Sequence, residues 1–137
     1  MVLDQVKQAE TGFTVSFYGT YEQRGVFADW CKILVTENGV EQMEFTTGEM
    51  TGFTREEKEI CRCDEALLTF LRSLQDQEKT PLTIERIELG YDAQEGEVLS
   101  AGAQINLIPC YRIYVVEWDM PFSVNAYTGE ENVTAEK

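Results

Sequence analysis

The sequence predicts an α+β domain: an antiparallel β-sheet in the order β-β-β-α-β-β-β, with one main helix packed on one face. Three observations carry that prediction. Phe13, Val15 and Phe17 alternate with Thr14, Ser16 and Tyr18, the two-residue period of a half-buried strand. A leucine-rich helical period follows Cys63. Residues 107–130 then read as two strands closed by the turn Trp118-Asp119-Met120-Pro121, and the rest of the chain is expected to pack beside this hairpin. A length of 137 residues with 43% hydrophobic content suits one domain with a real core. The division expected is a lead-in at 1–12, a single domain at 13–130 with two meanders around a helix at 63–77, and a frayed tail at 131–137.

Each element has its own signal. Leu3, Val6 and Ala9 stand at helical spacing, which suits a short helix or a frayed lead-in. After the strand at 13–18, residues 21–27 form a turn around Gly25 that leads into Val26 and Phe27. Ile33, Leu34 and Val35 centre the next strand, and Asn38-Gly39 supplies a hairpin signal because both residues tolerate positive φ. Residues 40–45 return as its partner, Gly48 and Gly52 bracket a polar turn, and the charged run 54–59 reads as a solvated connection. Asp64 and Glu65 open the helix, where the helix dipole favours negative charge. Leu67, Leu68, Leu71 and Leu74 mark its sheet-facing side, Phe70 widens it, and Pro81 lies beyond its end. In the strand at 82–91 the change of phase between Ile84 and Ile87 predicts a bulge or a bend. Residues 92–102, rich in Gly, Glu and Ala, form a loop, and strands at 103–117 and 122–127 complete the sheet.

Composition narrows function. With 25 acids against 11 bases the formal charge is −14, which repels nucleic acid and anionic membranes. There is no histidine, so the commonest general base, the commonest zinc ligand and every Ser-His or Cys-His nucleophile pair are absent. Paired carboxylates such as Glu56-Glu57 and Glu95/Glu97 stand in polar connections and read as solvated charge. Cys31, Cys61, Cys63 and Cys110 read as free, mostly buried thiols; a disulfide is the alternative, and a Cys₄ zinc site lacks the usual knuckle spacing. No apolar run reaches the roughly 20 residues needed to span a bilayer, and the start is too polar for a signal peptide. The expectation is therefore no enzyme, no cofactor and no metal.

Candidate binding residues cluster in the second half. Tyr91, Tyr111, Tyr114, Trp118 and Phe122 are candidates for an exposed aromatic surface that meets a protein partner. Arg112 suits a carboxylate clamp or, alternatively, an ion pair with a neighbouring acid. Asn125 suits a partner-binding edge or the satisfaction of buried backbone groups. Pro109 suggests that residues 103–117 lie at a sheet edge or bulge, and an exposed edge there would accept a partner's strand.

Three pieces of sequence, in order, resemble the YycI/YycH family of extracytoplasmic regulators: Tyr21-x-Gln23-x-Gly25-Val26-Phe27, Asp64-Glu65-Ala66-Leu67, and Leu89-Gly90-Tyr91 followed by Leu107-x-Pro109-x-Tyr111-Arg112-Ile113 and Val124-Asn125-Ala126-x-Thr128-Gly129. Tyr111 stands where the family has Trp. PepSY modules and the propeptides of thermolysin-like proteases share the meander-then-helix plan. The resemblance implies a non-enzymatic domain outside the cytoplasmic membrane of a Gram-positive bacterium, anchored by a helix that this sequence does not include. The partner it implies is a sensor histidine kinase of a two-component system governing cell-wall metabolism. A PepSY- or propeptide-like module that binds or inhibits a protease is the alternative.

Overall fold

In the computed structural model, residues 1–52, 58–74, 81–95, 97 and 104–133 are described. Their elements are β1 (Val2–Gln8), β2 (Gly12–Tyr21), β3 (Arg24–Thr36), β4 (Gly39–Thr46), α1 (Cys63–Ser73), β5 (Ile84–Ala93), β6 (Leu107–Val115) and β7 (Phe122–Asn125). The fold class is the α+β arrangement that the sequence predicts. The strands form one mixed sheet in the order β1-β2-β3-β5-β6-β7, with β4 also paired to β3. Every pairing is antiparallel except β3–β5, which is parallel and short: Gly25 faces Gly90 and Val26 faces Tyr91. The long β3 makes this possible. Its second half pairs with β4 while its first residues, on the same edge, pair with β5.

The β3–β5 junction explains two glycines of the resemblance motifs. A Cβ on Gly90 would lie 2.7 Å from the Gly25 carbonyl oxygen and 2.7 Å from the Phe27 ring; one on Gly25 would lie 2.9 Å from the Tyr18 ring. Phe27 is fully buried, so the ring has no free direction in which to move. Gly90→Ala is expected to cost about 1–3 kcal/mol through overpacking, measured as a lower urea midpoint at unchanged slope.

The core lies between α1 and the β5–β7 end of the sheet. Ala66 and Phe70 of α1 meet Tyr111, Ile113, Val115, Phe122, Val124 and Ala126, with Leu67, Leu74, Ile87, Leu89 and Trp118 around them. Leu68 and Leu71 are 50% and 56% exposed, so the helix is rotated from its expected face. It also stops at Ser73 rather than at 77. The Leu74 N–H bonds back to the Leu71 carbonyl, the tightening typical of a last turn.

Several boundaries differ from expectation. Residues 2–8 are a strand rather than a helical lead-in, paired along β2 with a bulge between Leu3 and Gln5. At the β3–β4 hairpin the loop is Glu37-Asn38, and positive φ falls on Gly39 alone, at +98°. The turn before β3 is Glu22-Gln23, both at positive φ, with Gly25 already inside the strand. The predicted bulge between Ile84 and Ile87 is present, as a register shift between Ile84 and Arg86. The start of the expected tail is packed: Glu131 bridges to Val124, and buried Asn132 donates to the Ala93 carbonyl at 3.0 Å. The expectations for residues 54–57, 75–80, 98–103 and 134–137, including the Glu56-Glu57 pair, lie outside the described residues.

Candidate functional site

The two faces of the sheet carry opposite chemistry, and Arg112 organises the first. On β6, Tyr111, Ile113 and Val115 point to α1, so Cys110, Arg112 and Tyr114 point to the other side. The Arg112 guanidinium lies 4.2 Å from the centre of the Phe27 ring, a buried cation–π contact. It reaches Asp92 on β5 at 3.6 Å and Asp4 on β1 at 3.4 Å. Asp4 is delivered by the β1 bulge. It is the extra residue between Leu3 and Gln5, and the kink turns its carboxylate inward. There it also accepts from the Tyr114 hydroxyl at 2.6 Å and meets Arg86 at 3.5 Å. Arg86 stacks 3.8 Å over the Tyr114 ring and pairs with Glu88, which accepts from the Tyr18 hydroxyl at 2.9 Å. This polar seam joins β1, β2, β5 and β6, so the sheet is curled rather than flat. Gln5 and Lys7 extend it by donating to the carbonyls of Asp119 and Val116.

The seam shifts its ionisable groups. Burial alone would lower the Arg112 pKa, but Asp92, Tyr114 and Asp4 outweigh it and raise the value, so the guanidinium stays charged. Asp92 moves upward because burial outweighs the nearby Arg112 and the hydrogen bond from the Ala93 N–H. Burial and the neighbouring Asp92 push the Cys110 thiol to about 12, and burial and Glu88 push the Tyr18 hydroxyl to about 12. A carboxyl with a raised folded-state pKa binds more protons folded than unfolded. Its contribution to stability therefore falls as pH rises from the unfolded value, 3.8, through the folded one. Carboxyl-carbon NMR is expected to show Asp92 titrating above 3.8, and Asp92→Asn should flatten that part of the stability–pH curve.

The residues singled out from the sequence now have places. Tyr111, Arg112, Tyr114, Phe122 and Asn125 are buried, and Tyr91 and Trp118 are half-buried. They form core and seam instead of an exposed aromatic surface, because β6 is central. It pairs with β5 on one side and β7 on the other, which also removes the strand-acceptor edge expected near Pro109. Arg112 takes the ion-pair reading. Asn125 closes the turn after β7: its side-chain oxygen accepts from the N–H groups of Tyr127 at 2.8 Å and Thr128 at 3.3 Å, with Gly129 at φ +75°. That turn anchors the helix, since Thr69 donates to the Gly129 carbonyl and the Cys61 N–H to that of Ala126. The four cysteines are free thiols but not mostly buried: Cys110 is buried, Cys31 and Cys61 are half-buried and Cys63 is exposed. Among the described residues no cluster of acids and cysteines could hold a metal ion.

Under the curl of the sheet lies a cleft of about 240 Å³, lined by Lys7, Ser16, Lys32, Arg112, Asp119 and Met120 among others. Asp92 and Cys110, whose pKa values are raised, are sealed inside the sheet and do not line this cleft.

The other face was not foreseen. The registers align three cross-strand rows over β1, β2, β3 and β4: Leu3–Phe17–Cys31–Phe45, Val6–Val15–Ile33–Met43 and Gln8–Phe13–Val35–Val40. Neighbours within a row share a face, so this face is apolar at every position but Gln8. It is on the sheet side where α1 sits, but α1 lies against β6 and β7. Leu3, Val6, Phe13, Val40, Met43 and Phe45 are therefore 51–63% exposed. The alternation at 13–18 correctly marks a strand with an apolar face, yet among the described residues no element covers that face.

One solved structure shares the whole plan. The chain is similar in fold to the Bacillus megaterium YpeB C-terminal domain, with a TM-score of 0.54 and 13% sequence identity. The match covers 96% of this chain and 54% of that one, so the chain spans about half the length of the solved domain. The likeness is one of fold alone. No family model matches the chain, and no curated protein matches it in sequence. Among the described residues no helix is long and apolar enough to cross a membrane.

Proposed function

We propose that the chain is a non-enzymatic regulatory domain that acts by protein–protein contact at the open apolar face of β1–β4. The observation that carries this reading is the face itself. Six large apolar side chains, each about half exposed, flank a half-buried apolar centre on one face, and together they exceed what a monomeric surface ordinarily leaves in water. The polar seam, by contrast, is closed on itself and offers no free nucleophile. The PepSY-like plan is in keeping with a binding module, and the sequence resemblance to YycI/YycH supplies the finer reading: an extracytoplasmic, membrane-anchored regulator of a sensor histidine kinase. A protease-binding, propeptide-like role is the second reading, favoured by the fold plan alone.

The test places a photo-cross-linking residue at Met43 in the full-length protein, in its source cells. Cross-links to a protein held within a kinase complex are expected. A secreted protease in their place, with inhibition of that protease by the purified domain, would favour the second reading. A cross-linking pattern unaltered by Phe13→Glu and Phe45→Glu would remove the face from the function altogether.

A further inference from the structure

We propose that the open face of β1–β4 is the interface of a twofold homodimer in which two such sheets pack face to face. This rests on reading the face as an interaction surface and names its occupant as a second copy of this chain.

Area is the first argument. Leu3, Val6, Phe13, Val40, Met43 and Phe45 are each more than half exposed. At roughly 100 Å² apiece they offer on the order of 600 Å². The half-buried Val15, Phe17, Ile33 and Val35 between them bring the face near the roughly 800 Å² per partner of a standard specific interface. Shape is the second. The face is a sheet surface three rows deep with no helix among the described residues on it, and an apolar sheet face is ordinarily covered by a second sheet about 10 Å away.

Charge selects the geometry. The β1–β2 and β3–β4 turns lie at one end, since Gly12 pairs with Thr36 and Thr36 with Gly39. That end carries exposed Glu10, Glu37 and Glu41. The opposite end is the row Leu3–Phe17–Cys31–Phe45, which carries no acid. A twofold axis running across the strands sets each acid-rich end over the other copy's less acidic end, and lays the row Val6–Val15–Ile33–Met43 upon itself. The cations Lys7 and Lys32 stand on the opposite, cleft-lining face and take no part. With −14 charges per copy, the dimer is strengthened by salt, which screens like-charge repulsion and favours apolar burial. A basic partner on the same acid-rimmed face would be weakened by salt.

Sedimentation velocity of the 137-residue chain is the test. A reversible dimer with a Kd on the order of 10 µM or tighter is expected, several-fold tighter at about 0.5 M salt than at about 0.05 M. Phe45→Glu and Met43→Glu should each weaken it at least tenfold while leaving the thermal midpoint of the dilute monomer in place, because both side chains are exposed. A monomer at every concentration and salt, a dimer weakened by salt, or a Phe45→Glu dimer as tight as wild type would overturn the proposal. The two readings separate cleanly. A monomer whose Met43 cross-links still depend on Phe13 and Phe45 loses the homodimer but keeps the interaction face; a monomer with no such dependence loses both.

Discussion

Arg112→Met is expected to lower the free energy of unfolding by about 3–5 kcal/mol, the range for breaking a buried ion pair by removing one partner. The residue is 2% exposed, and loss of its guanidinium leaves Asp92, also 2% exposed, without a counter-charge. Asp4 would keep Arg86 at 3.5 Å and the Tyr114 hydroxyl at 2.6 Å, so Asp92 bears most of the damage. Three companion results separate this cause from a mere cavity. Arg112→Met combined with Asp92→Asn should recover a substantial part of the loss, because no uncompensated charge then remains buried. The defect of the single variant should shrink on acidification, since protonating Asp92 removes the same charge. Arg112→Lys should fall between wild type and Met, for an ammonium keeps the charge but loses both the planar fork and the stacking on Phe27. Chemical denaturation across pH reads all of these. A domain that holds 5–15 kcal/mol in total would be left marginal by the Met variant. An Arg112→Met protein as stable as wild type would mean that the seam does not hold the curl of the sheet.

The seam also shows how much a sequence can disclose. Arg112 is visible as a charge in an apolar strand, and an acid partner is the natural expectation; which acid is not visible. Asp92 pairs with it across neighbouring strands. Asp4 comes from the far end of the chain and reaches Arg112 because a bulge breaks the alternation of β1. The same bulge hides the strand. With one residue inserted, Leu3 and Val6 stand three apart and imitate a helical face, although both lie on the same side of the sheet. The bulge in β5 was legible because the phase change there falls inside a run already marked as strand by its β-branched residues. Gly90 and Gly25 were legible as motif letters, but their reason is a parallel contact between strands separated by the helix. Burial was the least legible property. Aromatic residues at 111, 114 and 122 fit a surface as well as a core until the pairing of β6 on both sides is known. The alternating apolar residues of β2 looked like ordinary core, because a single sequence gives the polarity of a face but not what covers it.

The helix offers the clearest contrast between a period and a contact. Phe70→Ala is expected to cost about 3–5 kcal/mol, the range for deleting a fully buried aromatic ring. Phe70 is 2% exposed and meets Trp118 and Phe122 edge to face, at ring distances of 5.4 Å and 5.3 Å. Its removal opens a cavity where α1 meets the β6–β7 hairpin, and the two rings that remain belong to different ends of the β6–β7 connection and close it poorly. Leu71→Asp, one residue on, should cost about 1 kcal/mol or less, from weaker helix propensity and a negative charge near the helix C-terminus. On leucine spacing alone the order of these effects would be reversed, because Leu67, Leu68, Leu71 and Leu74 form the stripe and Phe70 flanks it. The packing instead centres on Ala66 and Phe70, four residues apart, since the small side chain at 66 lets the helix approach the sheet and the ring at 70 fills the space beyond it. Thermal melts of the two variants decide between the alternatives. A large loss for Leu71→Asp with a small one for Phe70→Ala would place the leucine stripe against the sheet and turn α1 away from the hairpin core.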